Sequence, residues 1–398
     1  MNKGRMIKIL MIASEPSADK LGACLIEGLF EELGSNEKII LQGLGGPLMI
    51  RNGLISLYDI NDLSVMGFAE ILPKLFVALN IIGKISRYAV TWKPDLIITI
   101  DSPDFSLKIS KKIKKLWPKV RTIHYVAPSV WAWRSGRSRK MAAFVDHVLA
   151  LLPFEPEYMR SAGMSCDFVG HPIVSEKVPT NQDISLFRSS LNLDRESPMV
   201  AILPGSRKSE IKRMLPIYIK MMEIISIKYQ NLVFVIPSNK NVSKLVSQHI
   251  KGTRLSIIHI REEENPFEFE SKKKTLFATS LAAVATSGTV SLELARMGAP
   301  MVIAYRASIF TEIILKLFVS LNSANLINIL TRRNDVPELL FSQCNAKNLG
   351  TALTSLLLDK KSVDVQRQAA NEALNLLGLG GLDPKIRSAR SVLRFLNL

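Results

Sequence analysis

The chain has 398 residues, with 52 Lys+Arg against 35 Asp+Glu and a formal net charge of +17. Hydrophobic residues make up 47% and charged residues 22%, which excludes a disordered or low-complexity chain, and the length predicts two or three domains with their own cores. Cys24, Cys166 and Cys344 are odd in number and far apart, which excludes a disulfide framework or a zinc cluster and points to a reducing cytoplasm.

From the N-terminus, Lys3, Arg5 and Lys8 precede an apolar stretch over 9–13 that ends at Ser14 and Glu15. A signal peptide needs an apolar core of roughly 7–15 residues, so none is expected. A strand is predicted over 6–13, a helix over 17–33, and further strands over 39–44, 95–100, 121–125 and 147–152. After Gly170-His171-Pro172 and a polar stretch the pattern restarts, with strands over 199–203, 232–236, 255–260, 282–285 and 300–305. The longest uncharged run, 275–292, is broken by Thr, Ser and Gly288 and makes a poor membrane span. Strand–helix alternation implies parallel sheets covered on both faces. The expected fold is therefore α/β, with two doubly wound Rossmann-like domains facing a central cleft. The expected domains are 1–174, 175–362 and a helical tail over 363–398 containing the break LGLGG.

Two stretches concern surfaces. Residues 65–89 place Ile71, Leu72, Leu75, Phe76, Leu79, Ile82 and Ile85 at helical spacing with apolar residues on more than one face. Such a helix is either buried all round or meets lipid or acyl chains, and Leu75, Phe76 and Leu79 are its candidate contacts. Residues 106–121 form a basic amphipathic pattern with Lys108, Lys111, Lys112, Lys114, Lys115, Lys119 and Arg121, read either as an ordinary solvated helix or as a docking face for an anionic membrane. The run 262–264 followed by Lys272–Lys274 reads as a solvated loop or helix end.

In doubly wound sheets, ligands bind beyond the carboxyl ends of strands, so turns there are the candidate sites. Asp101, in Ile100-Asp101-Ser102-Pro103-Asp104-Phe105, follows a buried strand and is a candidate general base. Glu15, Ser17 and Asp19 follow the first strand and would face the same cleft, although N-capping is the preferred reading of Asp19 and of Asp104. Gly205, Ser206 and Arg207 open a helix, where free amides and a forked guanidinium suit phosphate. Ser287, Gly288 and Thr289 repeat the arrangement, with Glu293 one turn on as an acceptor for ribose hydroxyls. There is no GxxxxGK[ST], which argues against P-loop phosphoryl transfer. His124 and His171 each stand alone and read as structural. Ser129, Trp131 and Arg134 lie in an aromatic and basic stretch that suits either a base or a phosphorylated, partly apolar acceptor.

Together, SEPSAD (14–19), GLGGP (43–47), SVMGFAEIL (64–72), IDSPDF (100–105), HYVAPSVWAWR (124–134), LLPFEP (151–156), FVGHP (168–172), LPGSRKSEI (203–211) and TSGTVSLE (286–293) resemble the lipid-A-disaccharide synthase family, glycosyltransferase family 19 of the two-lobed GT-B type. The resemblance implies inverting transfer of 2,3-diacylglucosamine from UDP-2,3-diacylglucosamine to 2,3-diacylglucosamine 1-phosphate. The expected products are the β-1,6 disaccharide 1-phosphate and UDP, made at the inner membrane face by a cytoplasmic, peripherally associated protein. It implies Asp101 as the catalytic carboxylate, a UDP side including Gly205, Ser206, Arg207, Ser287, Gly288, Thr289, Glu293 and Asn325, and an acceptor side to which Met66 is assigned. No cofactor and no metal are expected, and a homodimer stays open. Two departures stand out: Ser14 and Ala18 occupy glycine positions of the family's GExSGD loop, and LNSANL (321–326) replaces SLPNL. The rival readings are another GT-B enzyme, such as a UDP-GlcNAc transferase acting on an undecaprenyl-linked acceptor, and a non-catalytic RNA-binding protein. The RNA reading lacks any recognition signature, so no nucleic-acid partner is expected.

Overall fold

The computed structural model describes residues 6–34, 39–58, 71–129 (side chains from 77), 136–194, 196–306 and 323–398. The chain divides into two compact units, Met1–Ser175 with Leu377–Leu398, and Glu176–Leu376.

In the first unit, strands β1 Ile7–Ala13, β2 Ile39–Leu44, β3 Ile55–Ser56, β4 Leu96–Ile100, β5 Thr122–Tyr125, β6 His147–Ala150 and β7 Ser165–Phe168 form one sheet. Its order is β3-β2-β1-β4-β5-β6-β7, and every pairing is parallel. Helices α1 Pro16–Leu33, α2 Pro47–Arg51, α3 Ile71–Trp92, α4 Pro103–Leu116, α5 Gly136–Met141 and α6 Glu155–Arg160 connect the strands. Every residue of β4 is buried, as a parallel strand covered on both faces requires. The alternation of β1 divides two cores. Ile9 and Met11 pack with Leu25, Ile26, Ile98 and Val392, whereas Leu10 and Ile12 pack with Ile81, Ile85, Ile97, Ile109 and Ile113 on the other face.

The second unit repeats the plan with β8 Met199–Leu203, β9 Val233–Ser238, β10 Ile257–Arg261, β11 Ala282–Thr286, β12 Met301–Tyr305 and β13 Glu338–Leu340. The order is β10-β9-β8-β11-β12-β13, again parallel. Its helices are α7 Asn181–Ser190, α8 Lys208–Lys228, α9 Lys240–Ile250, α10 Pro266–Thr279, α11 Val290–Arg296, α12 Leu326–Thr331, α13 Ala346–Leu358 and α14 Lys360–Leu376. The uncharged run 275–292 is shared among the end of α10, the whole of β11 and the start of α11. No described helix is long and apolar enough to cross a membrane.

The stretch expected as a single tail over 363–398 parts company at Leu377. Helix α14 belongs to the second unit, while α15 Pro384–Leu396 returns to the first and packs on α1. Gly28 permits that packing, because a Cβ there would sit 2.2 Å from the Lys385 carbonyl oxygen. Around the contact, Lys385 pairs with Glu31, Arg390 grips Glu32, and buried His147 meets Ser391 Oγ at 2.9 Å. Burial lowers the His147 pKa against the opposing pull of Asp167.

Of the apolar helix expected over 65–89, residues 59–70 and the side chains of 71–76 lie outside the described residues, and with them Met66, Leu75 and Phe76. In the described part of α3, Ile81, Ile82, Ile85 and Ala89 are buried against the sheet, whereas Val77 and Leu79 are 42% and 46% exposed. This part is therefore not buried all round. On α4, Ile109 and Ile113 face the core and Lys108, Lys111, Lys112 and Lys115 face solvent. Lys114 turns inward to both carboxylate oxygens of Asp146, at 2.8 and 2.7 Å.

Candidate active site

In the first unit the strand order reverses between β1 and β4, which opens a crevice at their carboxyl ends. Glu15 leaves β1 there as an exposed residue at the N-cap position of α1, and Asp101 leaves β4. The backbone at Asp101 is unusual. Asp101 and Ser102 both have positive φ, 48° and 44°, and Val126, which follows β5, has φ 82°. Left-handed non-glycine residues cost roughly 1–3 kcal/mol each, and such strain gathers at functional sites. The Asp101 N–H is tied to the Tyr125 carbonyl at 2.9 Å, so the turn is held by the neighbouring strand. Burial raises the Asp101 pKa; the Ser102 amide opposes the rise, and the charge of Glu15 adds to it. The result is a carboxylate in a strained turn with heightened proton affinity, the properties a general base requires. Beside it, the Ser102 hydroxyl is buried without a partner among the described residues.

The other first-unit candidates separate. Asp19 is buried, and its carboxylate accepts from the amides of Gly46, Leu48 and Met49 at 2.8, 3.0 and 3.1 Å. It caps α2 rather than its own helix, and three donors occupy its oxygens. Asp104 caps nothing: its side chain is 88% exposed and pairs with Arg137 at 2.8 Å. Ser17 and Ser129 are exposed, while Trp131 and Arg134 lie outside the described residues. Ser14 and Ala18 have no positive φ, so the loss of the family's glycines strains nothing here. His124 and His171 are held neutral by burial, at about 3 and about 4, as structural histidines should be.

In the second unit the strand order reverses between β8 and β11, and both hydroxyl- and glycine-bearing turns flank that point. The first differs from expectation. The amides of Ser206 and Arg207 are not free, because Glu210 Oε2 accepts from them at 2.8 and 3.1 Å. Gly205 makes room for this, with φ 115° and a would-be Cβ 2.5 Å from that same oxygen. What the turn offers an anion is the guanidinium of Arg207, whose side chain is 78% exposed. Tyr218, fully buried in α8, ties that helix to the end of β11 through Thr286 Oγ1 at 3.1 Å.

At the second turn Ser287 Oγ donates to the Ala324 carbonyl at 2.8 Å, so its proton is already committed. Gly288 and Thr289 are exposed, and a Cβ on Gly288 would meet nothing within 4 Å. Glu293 is paired at 3.0 Å with Lys273, which also meets Glu270 at 2.9 Å. Burial works against the charge on Lys273, but the two carboxylates outweigh it and its pKa is raised. Lys273 and Lys274, which pairs with Glu176, are thus partly buried ion-pair residues rather than a solvated run. The side chain of Asn325 is buried and caps α12 through Ile327 N at 3.0 Å. Sequence reading missed Glu210 and Lys273. The Glu three residues after the first helix-flanking position was the available signal for Glu210, while nothing local marked Lys273.

The fold is similar to UDP-GlcNAc 2-epimerases. A UDP co-structure of S. aureus MnaA matches with a TM-score of 0.64 at 16% identity, covering 99% of this chain and 97% of that one. The Neisseria meningitidis epimerase bound to UDP-GlcNAc matches with 0.63 at 12% identity, covering 99% and 100%. A glycosyltransferase from Rickettsia africae matches with 0.57 at 12% identity, covering 100% and 98%. Two doubly wound parallel-sheet units of this kind define an enzyme fold of the GT-B type. The family model for lipid-A-disaccharide synthetase matches residues 9–380. The lipid-A-disaccharide synthase of Ruegeria pomeroyi is 39% identical over 98% of this chain and 96% of its own length, and that of Rickettsia bellii is 34% identical over 94% of each. The chain belongs to the lipid-A-disaccharide synthase family.

Proposed function

We infer that the chain is an inverting glycosyltransferase that joins UDP-2,3-diacylglucosamine to 2,3-diacylglucosamine 1-phosphate. The acceptor's 6-hydroxyl oxygen attacks the anomeric carbon and its proton passes to Asp101. The bond from that carbon to the diphosphate oxygen breaks, and UDP departs with the electron pair. The β-1,6 disaccharide 1-phosphate remains. The observation that carries this reading is the half-buried carboxylate of Asp101, held in a left-handed turn at the β1/β4 reversal, in a chain of this family. General-base help of this kind is worth roughly 10²–10⁴ in rate. Arg207 and Asn325 are the second-unit donors assigned to the leaving diphosphate, Gly288 and Thr289 line its approach, and Glu293, held by Lys273, accepts from the ribose.

The test is thin-layer chromatography of the product from the two purified substrates. Asp101→Ala should lose at least two orders of magnitude in turnover while still binding UDP; near-normal turnover would overturn the role of Asp101. Transfer to an undecaprenyl-linked acceptor, and none to the diacylglucosamine 1-phosphate, would favour the rival transferase.

Substrates carrying acyl chains partition into bilayers, which favours an enzyme working at a membrane surface. Exposed Val77 and Leu79 on α3, and the exposed lysines of α4, the helix packed against it, support peripheral docking on anionic lipid.

A further inference from the structure

Asn325 is 1% exposed, and its side-chain Nδ2 has no hydrogen-bond partner among the described residues. A buried amide left without an acceptor forfeits its hydration, so its persistence calls for an explanation. Turning the amide over is no cure, because Oδ1 already accepts from Ile327 N at 3.0 Å and the flip would oppose two donors. The orphaned N–H lies on the segment that touches the second donor-side turn, through Ser287 Oγ and the Ala324 carbonyl at 2.8 Å.

Glu338, on the edge strand β13, holds this segment from its other side. One carboxylate oxygen accepts from the Ser323 hydroxyl and from Asn328 Nδ2 at 2.6 Å; the other accepts from the Ala324 amide at 2.7 Å. Ser323 in turn accepts from the Asn325 amide at 3.1 Å. Asn328 is itself locked to Val336 by a reciprocal pair of bonds at 2.8 and 3.0 Å. All three groups facing Glu338 donate, so both of its carboxylate oxygens are engaged as acceptors.

We propose that Glu338 is a positioning residue of the donor site, setting through the 323–325 segment where the Asn325 amide meets an acceptor oxygen of UDP. The proposal rests on the reading of Asn325 as a donor-binding residue and adds the group that aims it. Ser287 shares the task by clamping Ala324, in place of a direct contact with phosphate.

The experiment is a double-mutant cycle on UDP binding by the full chain, read by calorimetry. Asn325→Ala and the isosteric Glu338→Gln should each weaken binding roughly tenfold, about one hydrogen bond's worth. If Glu338 acts through Asn325, the double variant should be no more than about twofold weaker than the worse single one. Unchanged affinity in Asn325→Ala would remove the donor role of Asn325 itself. A weakened Asn325→Ala beside an unaffected Glu338→Gln, or single losses that multiply to roughly a hundredfold, would overturn the positioning role alone. Melting curves accompany each variant; should Glu338→Gln fail to fold, Ser323→Ala, which removes one of the carboxylate's donors, takes its place in the cycle.

Discussion

Glu15 and Asp101 hang from neighbouring strands of the first sheet, and the charge of Glu15 adds to the proton affinity of Asp101. Burial is the larger cause of that rise. A base works only when deprotonated, so the acid limb of the kcat/KM profile should lie above the ordinary carboxylate value of 3.8. Glu15→Gln removes a negative neighbour, lowers the Asp101 pKa and should move that limb to lower pH. A limb that stays put or moves upward would show that the two groups do not communicate.

Glu210 and Arg207 divide the labour of one turn. Arg207→Ala should weaken UDP binding roughly tenfold, the scale of a lost charge-assisted hydrogen bond, with little change in Tm because the side chain is largely exposed. Glu210→Ala frees two helix-flanking amides and should cost about 1 kcal/mol of stability, as loss of a cap does. Calorimetry and thermal melts separate the two; a drop in Tm for Arg207→Ala with UDP affinity intact would reverse the assignment.

Buried histidines make stability depend on pH. His124 and His171 are held neutral in the fold, at about 3 and about 4, while the unfolded chain protonates them near 6.5. The unfolded state therefore binds more protons below about pH 6.5. Stability is full above that value and falls as the pH drops toward the folded values, by up to about 1.4 kcal/mol per pH unit for each group. His124→Gln should flatten the fall in Tm between pH 6.5 and 4.5, and an unchanged slope would contradict the account.

Membrane docking should show in flotation with anionic vesicles. Val77→Asp with Leu79→Asp should abolish flotation without loss of Tm, since both side chains are exposed. Replacing Lys108, Lys111, Lys112 and Lys115 with Gln should weaken flotation at low salt far more than at high salt. Flotation that survives both sets would place the contact elsewhere on the molecule.

What the amino-acid order made legible was whatever is written locally. Runs such as LIITI and MVAIL declare buried parallel strands, and Asp101 could be placed because it follows one directly. The edge strands β3 and β13 went unread because two or three residues carry no periodicity, and β7 because SCDF buries only Cys166 and makes no apolar run. The site was less legible where it depends on distant partners. Asp19 was readable as a cap, but its helix is the one beyond the next strand; Lys273 looked solvated until Glu293 met it; Glu338 has no neighbour in sequence that hints at Ser323 or Asn328. Glu210 shows the opposite lesson, since its local spacing carried a capping signal that competes with the phosphate reading of the same turn.

The return of α15 to the first unit has a consequence for biogenesis. The second unit is contiguous, so its core can close while translation continues. The first unit waits for Ala389 and Val392, which complete the layer against Ile9, Met11 and Leu25, and these emerge from the ribosome only after the whole second unit has been synthesised. During that interval an apolar sheet face is incompletely covered, the kind of transient exposure that favours aggregation.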